Sequence, residues 1–286
     1  MRYVMLILAM FAALPATAAP APRPRTILFV GNSFTFGALS PVKRYRANAV
    51  SDLMRTGLGG MPALFKTFTE EAGLAYAVSL ETQPGMPLSF HWQQRRVLID
   101  RTWDVVVLQE YSTLDHARPG DATAYRQYAP LLATMLAKRN PKVEVDLLAT
   151  WTRADLTFRP GSPWSGKPVS AMALDLRRAA NAVKALSPVI RGVIPAGEAW
   201  NRAIASGVAD ANPYDGIAYG QIDLWAYDNY HASAAGYYLE ALVAFGKITG
   251  VDPTKLGAGE RAADDLGIAP ETATALQRIA KAELAR

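Results

Sequence analysis

The sequence predicts an α/β protein: a three-layer α/β/α arrangement with about five parallel strands between helices. Three observations predict it. Short, nearly continuous apolar runs rich in Val, Ile and Leu recur along the chain, as expected of strands buried on both faces. Stretches of helical periodicity lie between them, and this alternation is the pattern of a parallel sheet. Half of the 286 residues are apolar and 19% are charged, a balance that folds rather than staying disordered.

The elements follow in order. Thr26–Val30 is an apolar run ending at Gly31 and reads as the first strand. Residues 42–56 and 62–72 read as helices, separated by Gly57, Gly59, Gly60 and Pro62. Ala75–Thr82 alternates and reads as the second strand, and 87–100 as a helix. Trp103–Leu108 is the third strand, 122–139 a helix, and Val143–Thr150 the fourth strand. A helix over 168–186 precedes a fifth strand, Val189–Ile194, and a short helix, Glu198–Ser206. Residues 207–230 read as loop, Ser233–Ile248 as a core helix and 270–285 as a last helix.

The first residues stand apart. Arg2, an apolar run from Tyr3 to Leu14, and Ala16-Thr17-Ala18 followed by Ala19 have the three parts of a secretory signal. About 12 apolar residues are too few for a membrane span, which takes ~20. Residues 1–19 are therefore expected to be a signal peptide, and 20–286 one exported domain, periplasmic or secreted, with no membrane segment after cleavage. The chain has no cysteine, which excludes disulfides, thiolate metal sites and a thiol nucleophile. Its three histidines, His91, His116 and His231, show no metal-ligand spacing. The formal charge of +5 is scattered, so no nucleic-acid surface is expected. Neither a phosphate-binding loop nor a dinucleotide fingerprint is present.

In parallel α/β sheets, ligands bind where the strands end. The first strand ends in Gly31-Asn32-Ser33-Phe34-Thr35, so Ser33 falls where the chain must turn sharply. A serine placed there is exposed for attack, and its own N–H can face an oxyanion. It needs a base. His231 lies three residues after Asp228, in one loop before the core helix, an arrangement in which a carboxylate can orient an imidazole toward a nucleophile. Each segment alone also reads as an ordinary turn.

Together these segments resemble the SGNH (GDSL-like) hydrolase family. Gly31-Asn32-Ser33-Phe34-Thr35 is similar to its first block, Pro84-Gly85-Met86-Pro87-Leu88 to its second, Trp103–Glu110 to its third, and Asp228-Asn229-Tyr230-His231 to its last. The four lie in order over residues 26–237. The resemblance implies strand order 2-1-3-4-5, Ser33 as nucleophile, His231 as base and acid, and Asp228 as its orienting carboxylate. It implies an oxyanion hole from the N–H groups of Ser33 and Gly85 and an amide in block three. There this chain departs from the usual Asn and has Gln109, a branch with a GNS opening. No Gly follows Ser33 by two residues, which separates the chain from the standard nucleophile elbow.

Asn32, Tyr111, Trp151 and Tyr230 are candidates to line the substrate pocket. His91 reads as a plain surface or packing histidine, or else as a contact to substrate or a support for Gly85; His116 reads as a solvated loop residue, Arg153 as a pocket or loop residue, and Glu198 as structural. The function implied is ester hydrolysis through an acyl-enzyme, without metal or cofactor, on a small-molecule or glycan ester. A carbohydrate O-acetyl ester or a short-chain carboxylic ester is the expected substrate. A non-catalytic glycan-binding protein on the same scaffold and an O-acyltransferase are the alternatives.

Overall fold

The computed structural model describes residues 23–285. The expected signal peptide of residues 1–19 lies outside them. Six strands, β1 (Arg25–Gly31), β2 (Ser51–Asp52), β3 (Tyr76–Thr82), β4 (Val105–Gln109), β5 (Glu144–Ala149) and β6 (Ile190–Pro195), form one sheet. Its order is β2-β3-β1-β4-β5-β6, and every pairing is parallel. Without the two-residue edge strand β2, this is the expected 2-1-3-4-5 order. The register pairs Gly31 with Thr82, Val30 with Leu108, Gln109 with Leu148, and Ala149 with Pro195. All five long strands therefore end along one edge.

The helices are α1 (Gly60–Glu71), α2 (Leu88–Phe90), α3 (Arg96–Ile99), α4 (Thr123–Arg139), α5 (Ala154–Phe158), α6 (Ala171–Lys184), α7 (Ala196–Ala205), α8 (Ala234–Thr249), α9 (Arg261–Asp265) and α10 (Pro270–Leu284). A π-helical turn, His91–Arg95, joins α2 to α3. Alternate residues of β1 feed opposite cores, as the two-residue period of a strand requires. Ile27 and Phe29 pack with Phe65 and Phe68 of α1, Phe245 of α8 and Leu276 of α10. Leu28 and Val30 pack with Leu132 of α4 and Leu176 of α6. Both faces of the sheet are thus covered by helices. No helix among the described residues is long and apolar enough to cross a membrane.

One expected element is corrected. Residues 42–56 form two 3-10 turns, Pro41–Arg44 and Ala47–Ala49, and then β2. The reason is local backbone geometry. Arg46 and Arg55 both adopt left-handed conformations, which a continuous right-handed helix cannot contain. The short helices α5 and α9 occupy stretches that the periodicity left unassigned.

The most confined helix is α8, buried along nearly its whole length. Ser233 caps it, accepting the Gly236 N–H at 3.2 Å. A β-carbon on Gly236 would lie 2.3 Å from the Leu224 carbonyl oxygen and 2.6 Å from the Trp200 ring. Gly236→Ala is therefore expected to destabilise the protein by about 2 kcal/mol or more through overpacking. Urea denaturation of the variant against the wild type measures it.

Candidate active site

Ser33 sits two residues past β1, on a tight turn. The Asn32 carbonyl accepts the N–H groups of Thr35 at 3.0 Å and Phe36 at 3.1 Å, and the Ser33 carbonyl accepts that of Ala38 at 3.1 Å. From beneath, the buried Tyr237 hydroxyl donates to the carbonyls of Ser33 at 3.1 Å and Ala38 at 3.3 Å. From the side, the Gln109 amide oxygen accepts the Asn32 N–H at 2.9 Å and the Thr35 hydroxyl at 3.0 Å. Gly31 leaves the room for this contact. A β-carbon there would lie 2.4 Å from Thr35 Oγ1 and 2.5 Å from Gln109 Oε1.

The segment after β3 is tied to the same turn. Asn32 Nδ2 donates to the Met86 carbonyl at 3.1 Å. The Met86 N–H closes back on the Gln83 carbonyl at 3.3 Å, leaving Pro84-Gly85 at the centre of the turn. Gly85 has φ +66°, a conformation that favours glycine. Neither Ser33 nor Gly85 has an acceptor for its backbone N–H among the described residues. Two buried carboxyls frame the segment. Glu110 Oε1 accepts the N–H groups of Leu88 at 3.1 Å and Tyr111 at 2.7 Å. Glu81 meets His91 Nδ1 at 2.5 Å, with both side chains fully buried. This pair joins the end of β3 to the helix after the Gly85 turn, so His91 packs inside the fold.

His231 is presented by a closed loop. The Ala226 N–H donates to the His231 carbonyl at 2.8 Å, and Asn229 within the loop is left-handed at φ +55°, a conformation asparagine tolerates. Asp228 Oδ2 meets His231 Nδ1 at 2.6 Å, while its Oδ1 accepts the His231 N–H at 2.9 Å. The dyad is thereby held in one orientation, and Nε2 is left buried without a partner. The Phe34 ring lies 5.6 Å from the imidazole, so the serine turn and the histidine loop are in contact. The segment after β5 braces the loop. The Asp155 N–H donates to the Asn229 carbonyl at 3.1 Å, and Trp151 Nε1 to the Tyr230 carbonyl at 3.2 Å.

Burial holds the His231 imidazole below its ordinary pKa, with Asp228 opposing and Arg153 adding to the effect. The imidazole is therefore neutral at neutral pH, the form a general base requires. Arg153 lies 3.7 Å from the centre of the Tyr230 ring, whose own centre is 3.9 Å from that of His231. Its guanidinium is paired with Asp155 at 2.7 Å.

Several expected roles change. Gln109 is fully buried, with its oxygen engaged by the serine turn and its nitrogen donating to the Glu110 carbonyl. It braces the turn from within and does not face the Ser33 and Gly85 N–H groups as a third donor. Asn32 is 2% exposed, and its amide joins the two turns. Trp151 is fully buried, stacked between Phe34 at 4.5 Å and Trp200 at 4.6 Å. Neither side chain can line a pocket. Tyr111 does line one: a recess of about 260 Å³ walled by Gly85, Pro87, Ser89, Tyr111, Leu114 and His116. Its hydroxyl meets His116 Nδ1 at 2.9 Å. Tyr230 lies against the imidazole, and Glu198 pairs with Arg177 at 2.5 Å. Sequence reasoning missed the supporting roles of Tyr237 and Glu110. A glutamate two residues after the all-apolar run Val105–Leu108 was the available signal for Glu110.

No family model and no curated protein matches the sequence. Solved structures do. A DUF4886 family protein from Bacteroides uniformis has a TM-score of 0.63 at 19% identity, over 92% of this chain and 95% of that one. A proposed GDSL-like lipase from Parabacteroides merdae has 0.56 at 18% identity, over 80% and 96%. A proposed SGNH hydrolase from Slackia heliotrinireducens has 0.50 at 20% identity, over 79% and 100%. The likeness shows the fold: the chain is built as SGNH-type α/β proteins are. Among the described residues, no cluster of three or more His, Asp or Glu side chains is placed to hold a metal ion.

Burial pushes the Glu110 carboxyl up to about 7, against the pull of the two N–H donors. Between the ordinary glutamate range and pH 7, the unfolded chain has lost this proton while the folded chain keeps it. Stability therefore falls as pH rises through that window and levels off above it. Glu110→Gln keeps an oxygen for both N–H groups and abolishes the titration. The melting temperature of the wild type is expected to drop, relative to Glu110→Gln, between pH 5 and pH 7.5. The difference corresponds to roughly 3 kcal/mol.

Proposed function

We propose that the protein is a serine hydrolase of carboxylic esters, acting outside the cytoplasm on a carbohydrate O-acetyl or other short-chain ester. One observation carries this reading. The Asp228–His231 pair, with Nε2 free, contacts the serine turn through Phe34, and the N–H groups of Ser33 on that turn and of Gly85 on the turn joined to it by Asn32 have no acceptor. A dyad next to two unengaged donors is the arrangement that acyl transfer needs.

His231 Nε2 takes the Ser33 proton as Oγ attacks the ester carbonyl carbon. The carbonyl oxygen becomes an anion, held by the N–H groups of Ser33 and Gly85. As the C–O bond breaks, His231 returns the proton to the leaving alcohol, and the acyl group stays on Ser33. Water then attacks the acyl-enzyme with the same proton shuttle and releases the acid. Asp228 holds the imidazole and stabilises its protonated form. The structure has no Ser33–His231 hydrogen bond, and such bonds often tighten only when substrate binds.

The leaving oxygen must lie within reach of His231. The acyl group then points away from the imidazole, toward the recess beside Gly85 and Tyr111. At about 260 Å³ this recess is below the range of most ligand pockets, which favours a short acyl group.

Hydrolysis of aryl acetate by the full chain tests the proposal. Ser33→Ala is expected to lower kcat by 10⁴-fold or more, and Asp228→Asn by about 10⁴-fold through the wrong imidazole tautomer. Activity should rise as the imidazole loses its proton, with the midpoint below the ordinary histidine value. Arg153→Gln removes a charge that favours the neutral form, so the midpoint should move to higher pH. A folded wild type that releases no acid, yet binds acetylated glycan, would replace this reading with a binding protein. Transfer of the acyl group to added sugar would make it an acyltransferase.

A further inference from the structure

Four aromatic side chains are exposed among the described residues: Phe158, Tyr214, Tyr219 and Tyr227. All four lie on two segments that flank the Asp228–His231 loop. Phe158 ends α5, whose first turn braces that loop through the Asp155–Asn229 bond. Tyr214 meets Phe158 with ring centres 5.8 Å apart, and the Arg159 guanidinium lies 5.5 Å from the Tyr214 ring. Tyr227 directly precedes Asp228 and is 82% exposed. Phe158, Tyr214 and Tyr227 are tied to one rim by these contacts and by sequence, and such a concentration needs a reason, because exposed large apolar side chains are normally scattered.

Resting on the reading of the site as an ester hydrolase, we propose that this rim docks the chain of an uncharged polysaccharide whose ester is cleaved at Ser33. The leaving alcohol is on the His231 side, since His231 protonates it. A sugar bearing the ester there continues naturally onto Tyr227 and then toward Tyr214 and Phe158. Flat phenol rings offer stacking faces to the C–H faces of pyranoses, with hydroxyls for hydrogen bonds. Charge selects the class of partner. The exposed charge on the two segments is balanced: Arg159 lies on one and Asp215 on the other, while Arg153 is paired with Asp155, Asp228 with His231, and Asp210 is buried. A surface for anionic lipid would carry an excess of basic residues beside its apolar ones, and a balanced rim favours an uncharged chain.

The test uses the full-length Ser33→Ala protein, so that no turnover occurs, and its Phe158→Ala/Tyr214→Ala derivative. Both are run in native gels containing acetylated xylan, acetylated glucomannan or alginate. The proposal expects retardation of the parent by a neutral glycan, loss of most of it in the derivative, and none in alginate. In the active background, the same two substitutions should raise KM for acetylated polymer about tenfold, with kcat/KM for aryl acetate within about twofold of wild type. Absence of retardation by either neutral glycan overturns the proposal, as does equal retardation of parent and derivative. Co-sedimentation of the parent with phosphatidylcholine vesicles in place of glycan binding would assign the rim to a lipid surface. Failure of the hydrolase reading shows separately, as absence of aryl acetate turnover by wild type with the gel result unchanged.

Discussion

The amide oxygen of Gln109 is the contact on which the site's geometry depends. It holds the Asn32 N–H and the Thr35 hydroxyl in the dry interior, where a lost partner costs the full desolvation of the group left behind. Gly31 is without a side chain because this oxygen fills the space. Asn32, fixed at its N–H, passes the constraint on: its side-chain nitrogen holds Met86 and thereby the Gly85 turn. One buried amide at the end of β4 thus sets the relation between two strand ends, β1 and β3, and between the two N–H groups that face no acceptor. A longer side chain than asparagine suits this task, because it reaches back under the turn.

The second half of the site is held by aromatic packing. Trp151 stacks on Phe34 of the serine turn and donates to the Tyr230 carbonyl of the histidine loop, so one indole joins the two segments that must meet. Trp225 Nε1 ties the base of that loop to the Thr152 carbonyl at 2.8 Å. Tyr237 reaches from α8 to the serine turn, so the helix that follows His231 also supports Ser33. These buried polar and aromatic bridges leave little freedom for the dyad to drift. They also keep water from the imidazole, and this exclusion lowers its proton affinity.

Stability and preorganisation pull against each other here. Glu110 and Glu81 are buried carboxyls beside the Gly85 turn. Each leaves one oxygen without a partner, an arrangement that an apolar core would avoid. What they provide is position. Glu110 grips the Leu88 and Tyr111 N–H groups, beside Pro87, Ser89 and Tyr111 of the recess wall. Buried polar groups of this kind fix a geometry at the expense of folding free energy.

The sequence by itself determined the architecture and the order of its parts. Runs such as Thr26–Val30 and Trp103–Leu108 have the length and the apolar content of two-sided strands, and their alternation with helical periods is the pattern of a parallel sheet. It also placed Ser33, Gly85, Asp228 and His231 at strand ends and in one loop, since local spacing governs a turn or a dyad three residues apart. It misjudged 42–56, where periodicity suggests a helix but left-handed residues at Arg46 and Arg55 break it. The tertiary structure alone decided which side chains face the pocket and which face the core. Gln109, Asn32 and Trp151 sit at the right strand ends for contact with substrate, yet all three turn inward. Their orientation depends on partners 54 to 79 residues away in the chain, and no local pattern encodes an interaction at that separation.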